Sequence, residues 1–242
     1  ERFRQGKSEF ESEFPFGVYA RTARRVLSTY GDELLKLAPN YGCMILRNAI
    51  SLYLARSRHM YVSPTHIVIG SGAEYLYGLI VQVLGRDRVY GIENPSYEKI
   101  SQVYGANRVK CEMLPLGPDG INSWYLWHSK AQVLHITPYR SYPSGVTASP
   151  AKKAEYLHWA NEKDAYIIED DFESEFTPAK KPEDTLFSMD ENSRVIYVNT
   201  FSNSISASLR TAYMIFPEDL HSLIDERIGF YTCTVPTFDQ YI

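Results

Sequence analysis

The chain has 242 residues, 44% hydrophobic and 22% charged. That suits one large domain or two modest ones and is too apolar for a disordered chain. With 25 Lys and Arg against 29 Asp and Glu, the net charge of -4 gives no general electrostatic reason to bind nucleic acid or an anionic membrane. Three scattered cysteines (Cys43, Cys111 and Cys233) without CxxC spacing argue against a disulfide framework or a zinc site and fit a reducing cytoplasm. No apolar run reaches the length of a membrane span, and no signal peptide opens the chain. The first residues carry no initiator Met and the last stop in an aromatic segment, so the expectation is the central part of a longer protein.

Strand-like and helix-like segments alternate. Leu46, Ile50, Tyr53 and Leu54 recur at helical spacing, before an apolar strand at 66–69. Tyr75, Leu79 and Val83 predict the next helix, followed by strands at 88–92, 109–114 and 132–136. Ser149 and Pro150 are an N-cap and first turn for a helix carrying Ala154, Leu157 and Ala160. Strands at 165–168, 194–198 and 212–216 complete the pattern. Such alternation predicts an α/β fold with a mostly parallel sheet and helices on both faces.

Ligands of such sheets sit at the carboxyl ends of the strands. The segments following the strands are Gly70-Ser71-Gly72-Ala73-Glu74, Glu93-Asn94-Pro95-Ser96-Tyr97, Thr137 to Gly145, Glu169-Asp170-Asp171-Phe172 and Thr200-Phe201-Ser202-Asn203-Ser204. These loops are polar or rich in Gly and Pro, and they are expected to converge on one rim.

In this order, the loops resemble the large domain of fold-type I pyridoxal 5'-phosphate (PLP) aminotransferases, and more narrowly the aminotransferase-like domain of MocR/GabR-type transcription regulators of the GntR family. The strongest match runs from Asp164 to Phe176 through Ile167-Ile168-Glu169-Asp170-Asp171-Phe172. Thr200-Phe201-Ser202 followed by Ser208-Leu209-Arg210 comes second. Phe3-Arg4-Gln5-Gly6 with Phe14-Pro15-Phe16, and Leu46-Arg47 with Tyr53 to Arg58, extend the resemblance over nearly the whole chain. It implies an arm and helix over 1–40 and a PLP-binding large domain over 41–242. A winged-helix segment upstream and most of the C-terminal small domain would lie outside this chain.

The resemblance also assigns roles. Ser71, Gly72 and Ala73 open a helix whose free N–H groups would hold a phosphate dianion. Arg210, Thr200 and Ser202 would join it, since the planar guanidinium fork bonds two oxygens. Asp170 would pair with the protonated pyridine nitrogen, although Glu169 and Asp171 adjoin it. Tyr97 would stack on the ring, or be an ordinary core aromatic. Lys99 falls near a substrate-carboxylate position, and Arg140 would add positive charge for an acidic ligand; both could equally be solvated. Six scattered histidines show no ligand spacing, so no metal is expected.

Three positions depart from the family. Asn203 stands where the family carries the Schiff-base Lys, and an amide can neither form that link nor shuttle a proton. Phe172 replaces a Tyr whose hydroxyl would bond the phenolic oxygen of PLP. Tyr139-Arg140-Ser141 replaces Ser-His-Gln. Asn203 is either an engineered replacement or a natural loss, and three departures on one rim favour loss. The expectation is an effector-binding and dimerisation domain of a MocR/GabR-like regulator, with PLP held non-covalently or lost. Its ligand would be a small amine or amino acid, and DNA would be met only through the missing N-terminal domain. The alternatives are a PLP-dependent aminotransferase with an engineered Asn203, and a pseudoenzyme that only dimerises.

Overall fold

In the computed structural model, residues 14–172, 184–201 and 209–242 are described. Ser202, Asn203 and Ser208, the stretch after Phe172 that continues the strongest match, and the first thirteen residues lie outside them. The elements are α1 (Phe16–Tyr30), α2 (Met44–Ser57), β1 (Ile67–Gly70), α3 (Ala73–Leu84), β2 (Val89–Asn94), α4 (Glu98–Ala106), β3 (Lys110–Gly117), β4 (Gly120–Ile121), α5 (Ser123–His128), β5 (Val133–Ile136), α6 (Pro150–Glu162), β6 (Tyr166–Asp170), α7 (Leu186–Met189), β7 (Val195–Thr200), β8 (Ala212–Ile215), α8 (His221–Ile228) and α9 (Thr237–Tyr241). No helix among the described residues is long and apolar enough to cross a membrane.

One eight-stranded sheet has the order β1-β8-β7-β6-β5-β2-β3-β4. The pairs β3/β2, β2/β5, β5/β6 and β6/β7 are parallel. β8 runs against both its neighbours. β1 therefore shares the direction of β7, and the two end on the same rim. The reversal has a local effect: β8 begins at that rim, with Ala212 paired to Gly70 on one side and to Thr200 on the other. The residues just before β8, Arg210 included, are thereby delivered beside the ends of β1 and β7. The short hairpin strand β4, two residues long, had no sequence signal.

Side chains alternate along each strand between two cores. Val133, Ile168, Ile196 and Val198 face the layer built from Leu76, Ile80, Ile100 and Ile224 of α3, α4 and α8. Leu134, Ile136, Ile167 and Val195 face Leu126, Tyr156 and Trp159 of α5 and α6. A third cluster joins Ile50 and Leu54 of α2 to Ile67, Ile69 and Tyr213. The central strands β5 and β6 are buried at nearly every position, as two-sided coverage of parallel strands requires.

The predicted cap of α6 forms, and a second one precedes β1. Ser149 accepts from Lys152 N–H at 3.1 Å with Pro150 in the first turn of α6. Ser63 accepts from Thr65 N–H before Pro64 in a single 3-10 turn.

Candidate functional site

At the rim lies a cavity of about 290 Å³ lined by Ala73, Glu74, Tyr77, Tyr97, Ile100, Thr137, Tyr142, Asp170, Phe172, Thr200 and Arg210. The structure thus brings together Ala73, Tyr97, Asp170, Phe172, Thr200 and Arg210 of the expected set.

Strand alternation separates the three adjacent acids. Asp170 lies two residues after Ile168 and faces the same layer, towards α3. Glu169 turns the other way and accepts from Leu186 and Phe187 N–H at 2.8 Å each. Asp171 leaves the strand to meet Arg58 Nη2 at 2.6 Å and Tyr197 O–H at 2.7 Å, a buried cluster that ties the end of α2 to the sheet. Asp170 alone of the three lines the cavity. Its Oδ2 accepts from Tyr77 O–H. Its Oδ1 is buried and has no hydrogen-bond partner among the described residues. A buried carboxylate oxygen in that state is costly unless a donor reaches it.

The opposite end of the lining is cationic. Gly72, at φ +98°, is the N-cap of α3. A Cβ there would come within 2.5 Å of Arg210 Nη2, so glycine lets the guanidinium lie against the helix start. Arg210 Nη2 donates to Glu74 Oε2 at 2.7 Å, and Lys99 Nζ to Glu74 Oε1 at 3.4 Å. Burial would raise Glu74, but Arg210 and Lys99 outweigh it and hold the carboxyl below its ordinary range. Two cations and the N-terminus of a twelve-residue helix thus surround one carboxylate.

Three other expected residues lie outside the lining. Ser71 does not line the cavity; its N–H bonds Thr234 Oγ1 at 3.1 Å, because the turn points that group towards the segment before α9. Lys99 also stays outside the lining, over the Tyr97 ring at 5.8 Å. Arg140 is exposed, at φ +50°, and is not in the lining. The bend there sends Ser141 inward to donate to Glu93 Oε2 at 2.6 Å, and Tyr142 reaches the cavity instead, edge-on to Tyr97. Sequence reasoning missed Glu74, Tyr77, Ile100, Thr137 and Tyr142. Helical period was available for Tyr77, which follows Ala73 by four residues on one face of α3. Ser202 and Asn203 lie outside the described residues. The arrangement can hold an anion at the Arg210 end and an N–H donor at Asp170. Among the described residues no group of three or more His, Cys, Asp or Glu could hold a metal.

No family model matches the chain. It is 31% identical over 229 residues to the uncharacterized HTH-type transcriptional regulator YdeL of Bacillus subtilis, covering 95% of this chain and 50% of that protein. It is 25% identical over 219 residues to the probable rhizopine catabolism regulatory protein MocR of Rhizobium meliloti, covering 90% of this chain and 44% of that one. The chain spans about half the length of the curated relatives it matches. An archaeal alanine:glyoxylate aminotransferase superposes with a TM-score of 0.85 at 25% identity, over 94% of this chain and 58% of that one. In sequence and in fold, this chain matches the aminotransferase-like domain of MocR-type regulators and has the fold-type I aminotransferase architecture.

Proposed function

We propose that the chain is the effector- and cofactor-binding domain of a MocR/GabR-like transcription regulator, holding PLP without a covalent link. The observation that carries this reading is the unpartnered Oδ1 of Asp170 in the wall of a cavity that also contains Arg210. Such an oxygen suits a protonated ring nitrogen. The glycine cradle at Gly72, the start of α3 and Arg210 suit a phosphate. When bound, PLP supplies an electron-withdrawing ring and an aldehyde reactive towards amines.

The chain's own residues would divide the work as follows. Asp170 holds a proton on the ring nitrogen. Arg210 and Thr200 hold the phosphate, with Glu74 yielding the guanidinium as the phosphate arrives. Tyr97 covers one face of the ring. Phe172 closes the wall without offering a hydroxyl. Asn203 offers no amine, so the domain senses a small amine or amino acid instead of transaminating it. DNA contact and head-to-tail dimerisation belong to the same proposal, with DNA met through a separate domain and in a cytoplasmic setting. The relatives' description as HTH-type regulators supports that division.

Calorimetric titration with PLP tests the reading. Asp170→Asn and Arg210→Ala should each weaken binding about 10–100-fold, the loss of one charged hydrogen bond. Borohydride treatment of the PLP complex should add no mass to any lysine. Wild-type affinity in both variants would overturn the assignment. Asn203→Lys should restore covalent capture only in part, because Phe172 cannot bond the phenolic oxygen. Full capture together with transamination would favour the aminotransferase alternative.

A further inference from the structure

Behind Asp170 lies another buried polar atom without a hydrogen-bond partner among the described residues, Nε2 of His135. His135 follows Val133 by two residues on β5 and so faces the same layer as Asp170. In the parallel pairing His135 is opposite Ile168, which places Asp170 one diagonal step away. His135 Nε2 is 3.6 Å from Asp170 Oδ2. On the far side of the ring, Nδ1 is 2.6 Å from Tyr104 Oη of α4. Tyr77 of α3 donates to the same Oδ2 from the other direction. Tyr77, Tyr104, His135 and Asp170 are all buried.

The chemistry fixes the protons. Burial pushes the Tyr104 and Tyr77 phenols well above their ordinary range, so both stay protonated. A neutral imidazole has one N–H and one lone pair. With the lone pair on Nε2, it would face a carboxylate oxygen, which is repulsive. The proton therefore belongs on Nε2, pointing at Oδ2, and Nδ1 accepts from Tyr104 O–H. Oδ2 then accepts from Tyr77 O–H and faces the Nε2–H dipole at 3.6 Å on its other side, while Oδ1 keeps its full accepting capacity.

We propose that Tyr104, His135 and Tyr77 are positioning residues: they turn donors on Oδ2 of Asp170 and so leave Oδ1 oriented for a single ring N–H of the bound ligand. This rests on the reading of the cavity given above and extends it to how Asp170 discriminates. A ligand with a ring nitrogen should be selected over the same ligand with a C–H there, and the selection should depend on Tyr104 and His135, which lie outside the cavity lining.

The probes are pyridoxamine 5'-phosphate and its 1-deaza analogue, which differ only at the ring nitrogen, titrated calorimetrically into the full chain. The wild type should prefer the nitrogen ligand by about 10–100-fold. Tyr104→Phe and His135→Leu should cut that preference to about threefold or less while the affinity for the 1-deaza analogue holds. Here loss of one neutral hydrogen bond sets the scale. His135→Gln, whose amide N–H can reach the place of Nε2, should recover most of it. If His135→Leu fails to fold, Tyr104→Phe and Tyr77→Phe decide, each removing one hydroxyl. An undiminished preference in those variants, alongside its loss in Asp170→Asn, would overturn the relay and leave the cavity reading standing. Equal wild-type affinity for the two probes would overturn the relay and the role of Asp170 together. Failure of the wild type to bind either probe would overturn the cavity reading itself.

Discussion

Glu93, one residue before the end of β2, is buried, with Ser141 O–H as its donor at 2.6 Å. Burial pushes its carboxyl up to about 8, with the charge of Asp170 adding in the same direction and Ser141 opposing. An unfolded Glu titrates near 4.3, so between roughly pH 4.3 and 8 the folded state keeps a proton that the unfolded chain has released. The stability contributed is complete below pH ~4.3, falls as pH rises through ~8, and is level above. One such group accounts for about 1.4 kcal/mol per pH unit inside that window. Glu169, also raised by burial, adds a slope of the same sign. Urea denaturation at pH 5 to 8 should therefore show stability falling as pH rises. In Glu93→Gln the fall should be shallower but still present. An unchanged slope would mean that Glu93 is ionised in the folded protein. None of this was legible in the sequence: Glu93 reads as one polar residue in a loop, and only the closing of β5 and α6 around it removes its water. Asp170 is the contrasting case. The sequence offered three acids in a row, and the family register selected the middle one. In the structure, period-two alternation turns Glu169 and Asp171 away from the layer that Asp170 faces, and of the three only Asp170 lines the cavity.

At the scale of elements, local chemistry was readable wherever one residue type has one use. Ser149-Pro150 is such a place. The Ser149 hydroxyl accepts from Lys152 N–H and also donates to Asp119 Oδ2 at 2.8 Å, joining the start of α6 to the turn between β3 and β4. Ser149→Ala should cost about 1 kcal/mol in thermal or urea unfolding, the usual loss for an N-cap. Replacement by Asp should recover the cap while setting a like charge against Asp119. The long strands and helices were found because they repeat a period over many residues. β4 was missed because two residues carry none, and the inward turn of Ser141 and Tyr142 because the Arg140 bend is fixed by packing and not by a turn motif. The reversal of β8 was equally invisible: a four-residue apolar strand looks the same in either direction.

For the whole molecule, the apolar surface is unevenly spent. α2 buries Ile50 and Leu54 on one side yet leaves Met44, Ile45, Leu52 and Tyr53 exposed, and Tyr61, Leu35 and Leu37 nearby in sequence are among the most exposed large apolar residues described. Ile45 and Leu52 are seven apart, on one stripe of the helix. An exposed apolar face of this kind usually meets a partner. In the proposed dimer it would face a second copy. Sedimentation should show a dimer at micromolar concentration, and Leu52→Asp, which disturbs no core contact, should shift it to monomer without lowering thermal stability. A wild type that sediments as a monomer would rule this out.

The antiparallel strand β8 carries one more implication. Gly70 precedes the Gly72 cradle and Thr200 ends the neighbouring wall, yet these two strand ends become neighbours only once Ala212 has slotted between them. Segments from early and late in the chain must therefore dock before the anion end exists at all. No local subdomain can form the proposed phosphate site in advance. Occupancy of that end should accordingly slow amide exchange through the whole of β1, β8 and β7, because releasing the ligand and parting these strands are one event.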